Sequence, residues 1–134
     1  MKTTAIIERG KDGSYGIYTP DLESTISGNG ATLEAAQKDF EEAYHEALDV
    51  FREMNAPVPE ELQDLEFEYR YDLSAFYEAH PYLNVTQVAR YIGINDTLMR
   101  QYRRGQYISE AQLKRIQEGI RSIGRELANT ELVR

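Results

Sequence analysis

The chain contains no cysteine, which excludes disulfides, thiolate metal sites and thiol catalysis. Histidine is almost as scarce: His45 and His80 are the only two, and they stand too far apart in sequence to make a metal-ligand pair. Neither has a serine partner evident for nucleophilic chemistry. The many carboxylates lie on a solvated helix face, away from any glycine-rich phosphate loop or compact metal cluster. An enzyme is therefore not expected, and neither is a cofactor or a metal. No apolar run approaches the roughly 20 residues that a membrane-spanning helix needs. The first residues also lack the pattern of a signal peptide. A cytoplasmic protein without a membrane partner is the expectation. Basic residues are scarce too, but only in one part of the chain. Residues 1–83 hold six Lys and Arg against 18 Asp and Glu, a net −12, whereas residues 84–134 hold nine against five, a net +4. An acidic part joined to a basic part points to two domains with different partners.

What is present is enough to fold. The 134 residues are 41% apolar and include ten tyrosines, a composition that can fill a core and is unlike that of disordered chains. The β-branched opening Thr3-Thr4-Ala5-Ile6-Ile7-Glu8 predicts a strand. Lys11-Asp12-Gly13 signals a turn, and Ser14 to Tyr18 its hairpin partner. A short third strand is expected around Ser24 to Ser27, closed by a turn at Gly28-Asn29-Gly30. Thr32 then reads as the cap of a long helix, with Glu34 at the positive end of its dipole. Leu33, Ala36, Phe40, Ala43, Tyr44, Ala47, Leu48, Phe51 and Met54 share one wide apolar face, which should pack on the sheet. The opposite face carries Glu42, Glu46, Asp49 and Glu53, flanked by Asp39. Such a stripe is either the solvated side of a helix or a docking surface for a basic partner.

Asn55-Ala56-Pro57-Val58-Pro59 ends that helix. Glu66 to Tyr71 then alternates charged and aromatic residues, a strand that either completes the first sheet or pairs with its own copy across a dimer. Asp72 reads as the cap of a further helix with Leu73, Phe76 and Tyr77 inward and Pro81 as its limit. That helix would open the second domain, so the expected domains are residues 1–71 and 72–134. The expected class is α+β: a small antiparallel sheet with one long packed helix, followed by an all-α domain.

Val85 to Gly105 has the spacing of a helix-turn-helix. Val85, Val88, Ala89 and Ile92 make one apolar face, Gly93 ends the helix in a tight turn, Ile94 plugs the core and Asn95 caps the next helix. There Leu98, Met99 and Tyr102 fall on one side, and Thr97, Arg100, Gln101 and Arg104 on the other. Residues of the second set can read base edges and hold phosphates. Arg100 and Gln101 are the candidates for base readout, Asn95 and Thr97 for contacts near the helix start, and Arg103 and Arg104 for phosphate. Asp96 either offsets the helix dipole or accepts from a cytosine amino group. Farther on, Ser109 with Gln112 makes a capping box for a last helix. In it Leu113, Ile116, Ile120, Ile123 and Leu127 form a heptad seam, for core packing, for a dimer contact, or for each along different turns. Gly119 and Gly124 weaken that helix.

The first part of the chain resembles the HicB antitoxins of bacterial toxin–antitoxin systems. The resemblance lies in a hairpin with Gly13 and Tyr15, then Pro20-Asp21-Leu22, the Gly28-Asn29-Gly30 element, and Thr32-Leu33-Glu34-Ala35-Ala36 opening the helix. It departs from the family at Glu23-Ser24-Thr25, where a Pro-Gly turn is usual. The second part looks like the helix-turn-helix of the Cro and phage-repressor class, carried by Ile94 to Gly105. Together these matches cover nearly the whole chain. The resemblance implies a partial ribonuclease H-like domain without nuclease activity, which blocks a small basic HicA-like toxin that cleaves messenger RNA. It also implies repression of the operon by binding operator DNA. The expected assembly is a homo-oligomer, dimer or tetramer, whose helix-turn-helix units meet half-sites about one turn apart. A stand-alone regulator whose first domain only oligomerises or senses a ligand is the alternative. An active ribonuclease H-like nuclease using Glu8 or Asp21 is a second.

Overall fold

The opening strand runs over Lys2–Arg9 (β1) and turns back as Tyr15–Tyr18 (β2) in a computed structural model that describes residues 1–134. Gly13 makes the hairpin turn at φ 83°, a backbone angle that a side chain disfavours. Asp12 locks the turn by accepting from both the backbone N–H and the hydroxyl of Ser14, at 3.0 and 2.6 Å. Thr19 is fully buried and bridges across to Ile26, taking the Ile26 N–H on its Oγ1 at 2.9 Å. That bridge closes residues 20–25 into a loop, with Leu22 buried beneath it. The Glu23 N–H, in the segment that departs from the HicB pattern, donates to Glu61 Oε2 at 3.3 Å.

The third strand is Ser27–Gly30 (β3), so Gly28-Asn29-Gly30 is strand and not the expected turn. The helix that follows, Leu33–Glu53 (α1), lies directly on it. A side chain at Gly28 would run into the backbone of Phe40, and one at Gly30 into that of Ala36. Glycine stands here because two backbones meet closely. Thr32 caps α1 by accepting from the Ala35 N–H at 3.1 Å.

The sheet order is β3-β2-β1-β4, with Glu66–Tyr71 as β4. Glu66–Tyr71 thus completes the first sheet within the chain. It runs parallel to β1, pairing Thr3 with Phe67, Ala5 with Tyr69 and Ile7 with Tyr71. The expected antiparallel sheet is therefore a mixed one. The reason is connectivity: a parallel neighbour requires a crossover, and α1, about 30 Å long at 1.5 Å per residue, carries the chain from one edge of the sheet to the other. The core lies between α1 and the sheet, with Ala5, Ile7, Ile17, Ala36 and Phe40 at its centre. Phe40 meets Phe67 edge to face at 4.8 Å between ring centres, and Tyr44 meets Phe67 at 5.4 Å. Met54, assigned to the same face, is 68% exposed because it lies past the end of α1.

The helix Leu73–Ala79 (α2) belongs with the sheet. Asp72 donates its N–H to the Ile7 carbonyl at 2.9 Å, accepts the Arg9 N–H on Oδ2 at 2.9 Å, and caps α2 through Oδ1 and the Ala75 N–H at 2.8 Å. These bonds and the burial of Ala75 in the core anchor α2 to β1. The chain accordingly divides into units Met1–Ala79 and His80–Arg134, rather than at the expected Tyr71/Asp72 boundary. The second unit holds three helices, Val85–Ile92 (α3), Asp96–Arg103 (α4) and Glu110–Ala128 (α5), and no strand. No helix is long and apolar enough to cross a membrane.

Candidate nucleic-acid interface

α3 begins at Asn84, whose side chain accepts from the Gln87 N–H at 3.0 Å, and ends at Gly93 in the left-handed region, φ 86°. The N–H groups of Gly93 and Ile94 both return to the Ala89 carbonyl at 2.9 Å, which tightens the turn. Asn95 then caps α4, its Oδ1 accepting from the Leu98 N–H at 3.1 Å. Such caps contribute about 1 kcal/mol each. The pair closes over Val88, Ala89, Ile94, Met99 and Tyr102, all buried, with Ala89 and Met99 fully so. Ala89 is small where two helices must approach. α5 supports the turn from behind: Arg115 Nη2 donates to the Gly93 carbonyl at 2.7 Å, and Ile116 is buried. Ser109 caps α5 through the Gln112 N–H at 3.2 Å, whereas the Gln112 amide turns to the Tyr102 hydroxyl at 3.4 Å. Only the serine half of the expected capping box is made.

With Met99 and Tyr102 inward, the opposite side of α4 faces out. Asn95, Thr97, Gln101, Arg103 and Arg104 are exposed and Arg100 is half-buried, so the six candidates lie along α4 and its caps. They are not equivalent. Gln101 and Arg104 extend to solvent. Asn95 has spent its carbonyl oxygen on the cap. Arg100 is engaged within the unit, with Nη1 donating to Thr86 Oγ1 at 3.0 Å and Nη2 to Thr97 Oγ1 at 3.3 Å. Asp96 Oδ2 stands 3.8 Å from Arg100 Nη1 and 3.7 Å from Arg90 Nη2. Thr86 and Arg90 were not among the expected site residues. Their i, i+4 spacing beside the turn is the one sequence signal that would have pointed to them.

The candidate acidic surface on α1 is also mixed. Glu42, Glu46 and Glu53 are exposed. Asp39 instead accepts the Asn29 N–H at 2.8 Å and so helps hold β3, and Asp49 pairs with Arg52 at 3.3 Å. Glu8 and Asp21 are exposed, and no three His, Asp or Glu side chains gather with the geometry of a metal site. His45 is exposed, and His80 meets the ring of Tyr82 at 5.8 Å.

The charge division follows the structural units: Met1–Ala79 carries −12 and His80–Arg134 carries +4. Comparison with models of known protein families, with curated proteins and with solved structures gave no match for this chain.

Proposed function

We propose that this chain is a HicB-like antitoxin and transcriptional repressor that acts by binding and not by catalysis. In this reading His80–Arg134 is a separate all-α helix-turn-helix domain that lays α4 in the major groove of operator DNA. Met1–Ala79 is a partial ribonuclease H-like domain that occludes a small, basic, mRNA-cleaving toxin. The protein works in the cytoplasm as a homo-oligomer, a dimer or tetramer, so that two copies of α4 meet half-sites about one helical turn apart. The observation that carries the reading is the sorting of α4. Its buried side is Met99 and Tyr102, and its exposed side is Thr97, Gln101, Arg103 and Arg104 in a unit of net +4. The toxin rests on the resemblance, supported by the exposed Glu42, Glu46 and Glu53 on a unit of net −12.

The test is binding to the protein's own promoter together with pull-down of the product of the adjacent gene. Gln101→Ala with Arg104→Ala touches no buried residue, so melting should be unchanged while promoter affinity falls roughly ten- to a hundredfold, the scale of lost base and phosphate contacts. Unchanged affinity would reject α4 as the reader. A locus with no small basic neighbour leaves the stand-alone regulator, and metal-dependent cleavage of an RNA–DNA hybrid would overturn the antitoxin reading.

A further inference from the structure

α3 and α4 are joined by a polar clamp as well as by their apolar core. The Arg100 guanidinium reaches back from α4 to α3, giving one N–H to Thr86 at 3.0 Å and another to Thr97 at 3.3 Å. The Asp96 carboxylate sits between Arg100 and Arg90, 3.8 and 3.7 Å from their nearest nitrogens. Arg90 and Thr86 lie on α3, Asp96 and Arg100 on α4, so the clamp spans the turn. The Asp96 side chain is 30% exposed and that of Arg100 is 40% exposed, so neither is freely solvated.

An arginine on an open helix surface samples many rotamers and loses that freedom when it binds. Arg100 is instead tied to Thr86 and Thr97 before any DNA is bound. A guanidinium has five N–H donors. Two are given to threonine hydroxyls, which leaves three. Guanine offers two adjacent acceptors, N7 and O6, in the major groove, whereas adenine sets a donor beside its acceptor. A fixed fork therefore selects guanine. The carboxylate explains itself less readily as a contact. Beside a phosphate backbone it repels, so whatever Asp96 adds lies in orientation and not in affinity.

We propose that Asp96 is a positioning residue that, with Thr86, holds Arg100 as a pre-aimed guanine reader, lowering affinity for DNA in general while raising discrimination among sequences. The inference rests on the DNA-binding reading of α4. A purely structural Asp96, offsetting the helix dipole, would change stability and leave the ratio of specific to non-specific binding alone.

The test uses the full chain and a pool of randomised duplex DNA. Wild type should enrich a motif with an essential guanine, and replacing that guanine by 7-deazaguanine should reduce binding about tenfold or more. Asp96→Asn should bind an unrelated duplex about two- to fivefold more tightly, because a like charge is gone. Its preference for the selected duplex should nevertheless fall at least about tenfold. Thr86→Val should lose preference without that gain, and Thr86→Ser should keep it. Nitrogen-15 spectra of the free protein read the clamp without DNA: rotation of the Arg100 guanidinium should be slow in wild type and fast in Asp96→Asn. Equal changes in both affinities, or a guanidinium equally mobile in wild type and variant, overturns the proposal. A wild type that enriches no sequence rejects the DNA-binding reading and the guanine reader with it, while the spectra still decide whether the clamp exists.

Discussion

Gly119 and Gly124 look alike in sequence, each a glycine within α5, yet they meet different surroundings. A side chain at Gly119 would overlap Ile92 on α3, whereas nothing lies within 4 Å of one at Gly124. Glycine inside a helix costs about 1 kcal/mol relative to alanine. Gly124→Ala should therefore stabilise the helical unit by about that amount in urea unfolding. Gly119→Ala should show no gain, because forcing a methyl group against Ile92 costs about 1–3 kcal/mol. Equal shifts for the two variants would contradict the close α3–α5 crossing. Tyr69 is a second residue whose setting decides its behaviour. Burial, then the nearby Glu41 carboxylate and the Tyr71 phenol, raise its phenol above the ordinary 10.0. A folded-state pKa above the unfolded one means that the folded protein holds the proton longer. The associated stability is complete below the unfolded value and is lost as pH rises through the folded one. Tyr69→Phe should lose less stability than wild type between pH 9 and strongly alkaline solution, measured by denaturant midpoints. A parallel decline in both proteins would show that the raised phenol has no part in it.

At the scale of elements, α5 buries only the middle of its heptad seam within the chain. Ile116 is buried, and near Gly119 the helix packs on α3, with the Tyr91 hydroxyl 3.2 Å from Ser122 Oγ. Leu113 and Leu127, toward the ends of the seam, are 51% and 65% exposed. Leu127 also lines an open groove of about 300 Å³ with Tyr82, Val88, Tyr91 and Ile123. Burying one such leucine contributes about 1.5–3 kcal/mol, and a two-fold contact would repeat it on both copies. If α5 forms the contact between copies, Leu113→Glu with Leu127→Glu should sediment as a monomer and bind a two-half-site operator about a hundredfold more weakly, through lost effective concentration. An unchanged sedimentation profile would move the oligomer contact elsewhere. The elements themselves were legible where the signal is local. The apolar face of α1, its Thr32 cap, the Gly93 turn and the Asn95 cap all follow from periodicity and capping chemistry. What sequence could not show depends on partners distant in the chain. The alternation in β4 suits either edge of a sheet, so its parallel pairing with β1 had no local mark. Gly28-Asn29-Gly30 has the composition of a turn, but it pairs with β2 as a strand, and its glycines answer to the approach of α1. Asp72 was recognised as a cap, but its bonds to Ile7 and Arg9, which draw α2 into the first unit, join segments far apart in sequence. Arg100 could be placed on the outer face of α4, yet its bond to Thr86 depends on how the two helices cross.

Across the whole molecule, the units carry −12 and +4, and the proposed function gives them partners of opposite charge. DNA carries a dense negative charge, and each phosphate neutralised by a cation adds about −0.9 to the slope of log affinity against log salt. Arg103 and Arg104 stand at the end of α4, where side chains meet backbone more readily than base edges. Replacing both by alanine should make the slope shallower by about 1.8 per bound protomer and weaken selected and unrelated duplexes by the same factor. The acidic surface should behave in the opposite sense. Glu42→Gln, Glu46→Gln and Glu53→Gln together should weaken capture of a basic protein partner, and make that capture less sensitive to salt, since exposed charges act through a screened field. The same triple variant should leave the DNA salt slope where it was, because the slope counts cations placed on phosphates and the variant removes none. Measuring both slopes in both variants gives four values from one chain. A DNA slope that changes with the glutamates, or a basic-partner slope that changes with Arg103 and Arg104, would show that the two charged surfaces do not act independently and that the division of labour between the units is wrong.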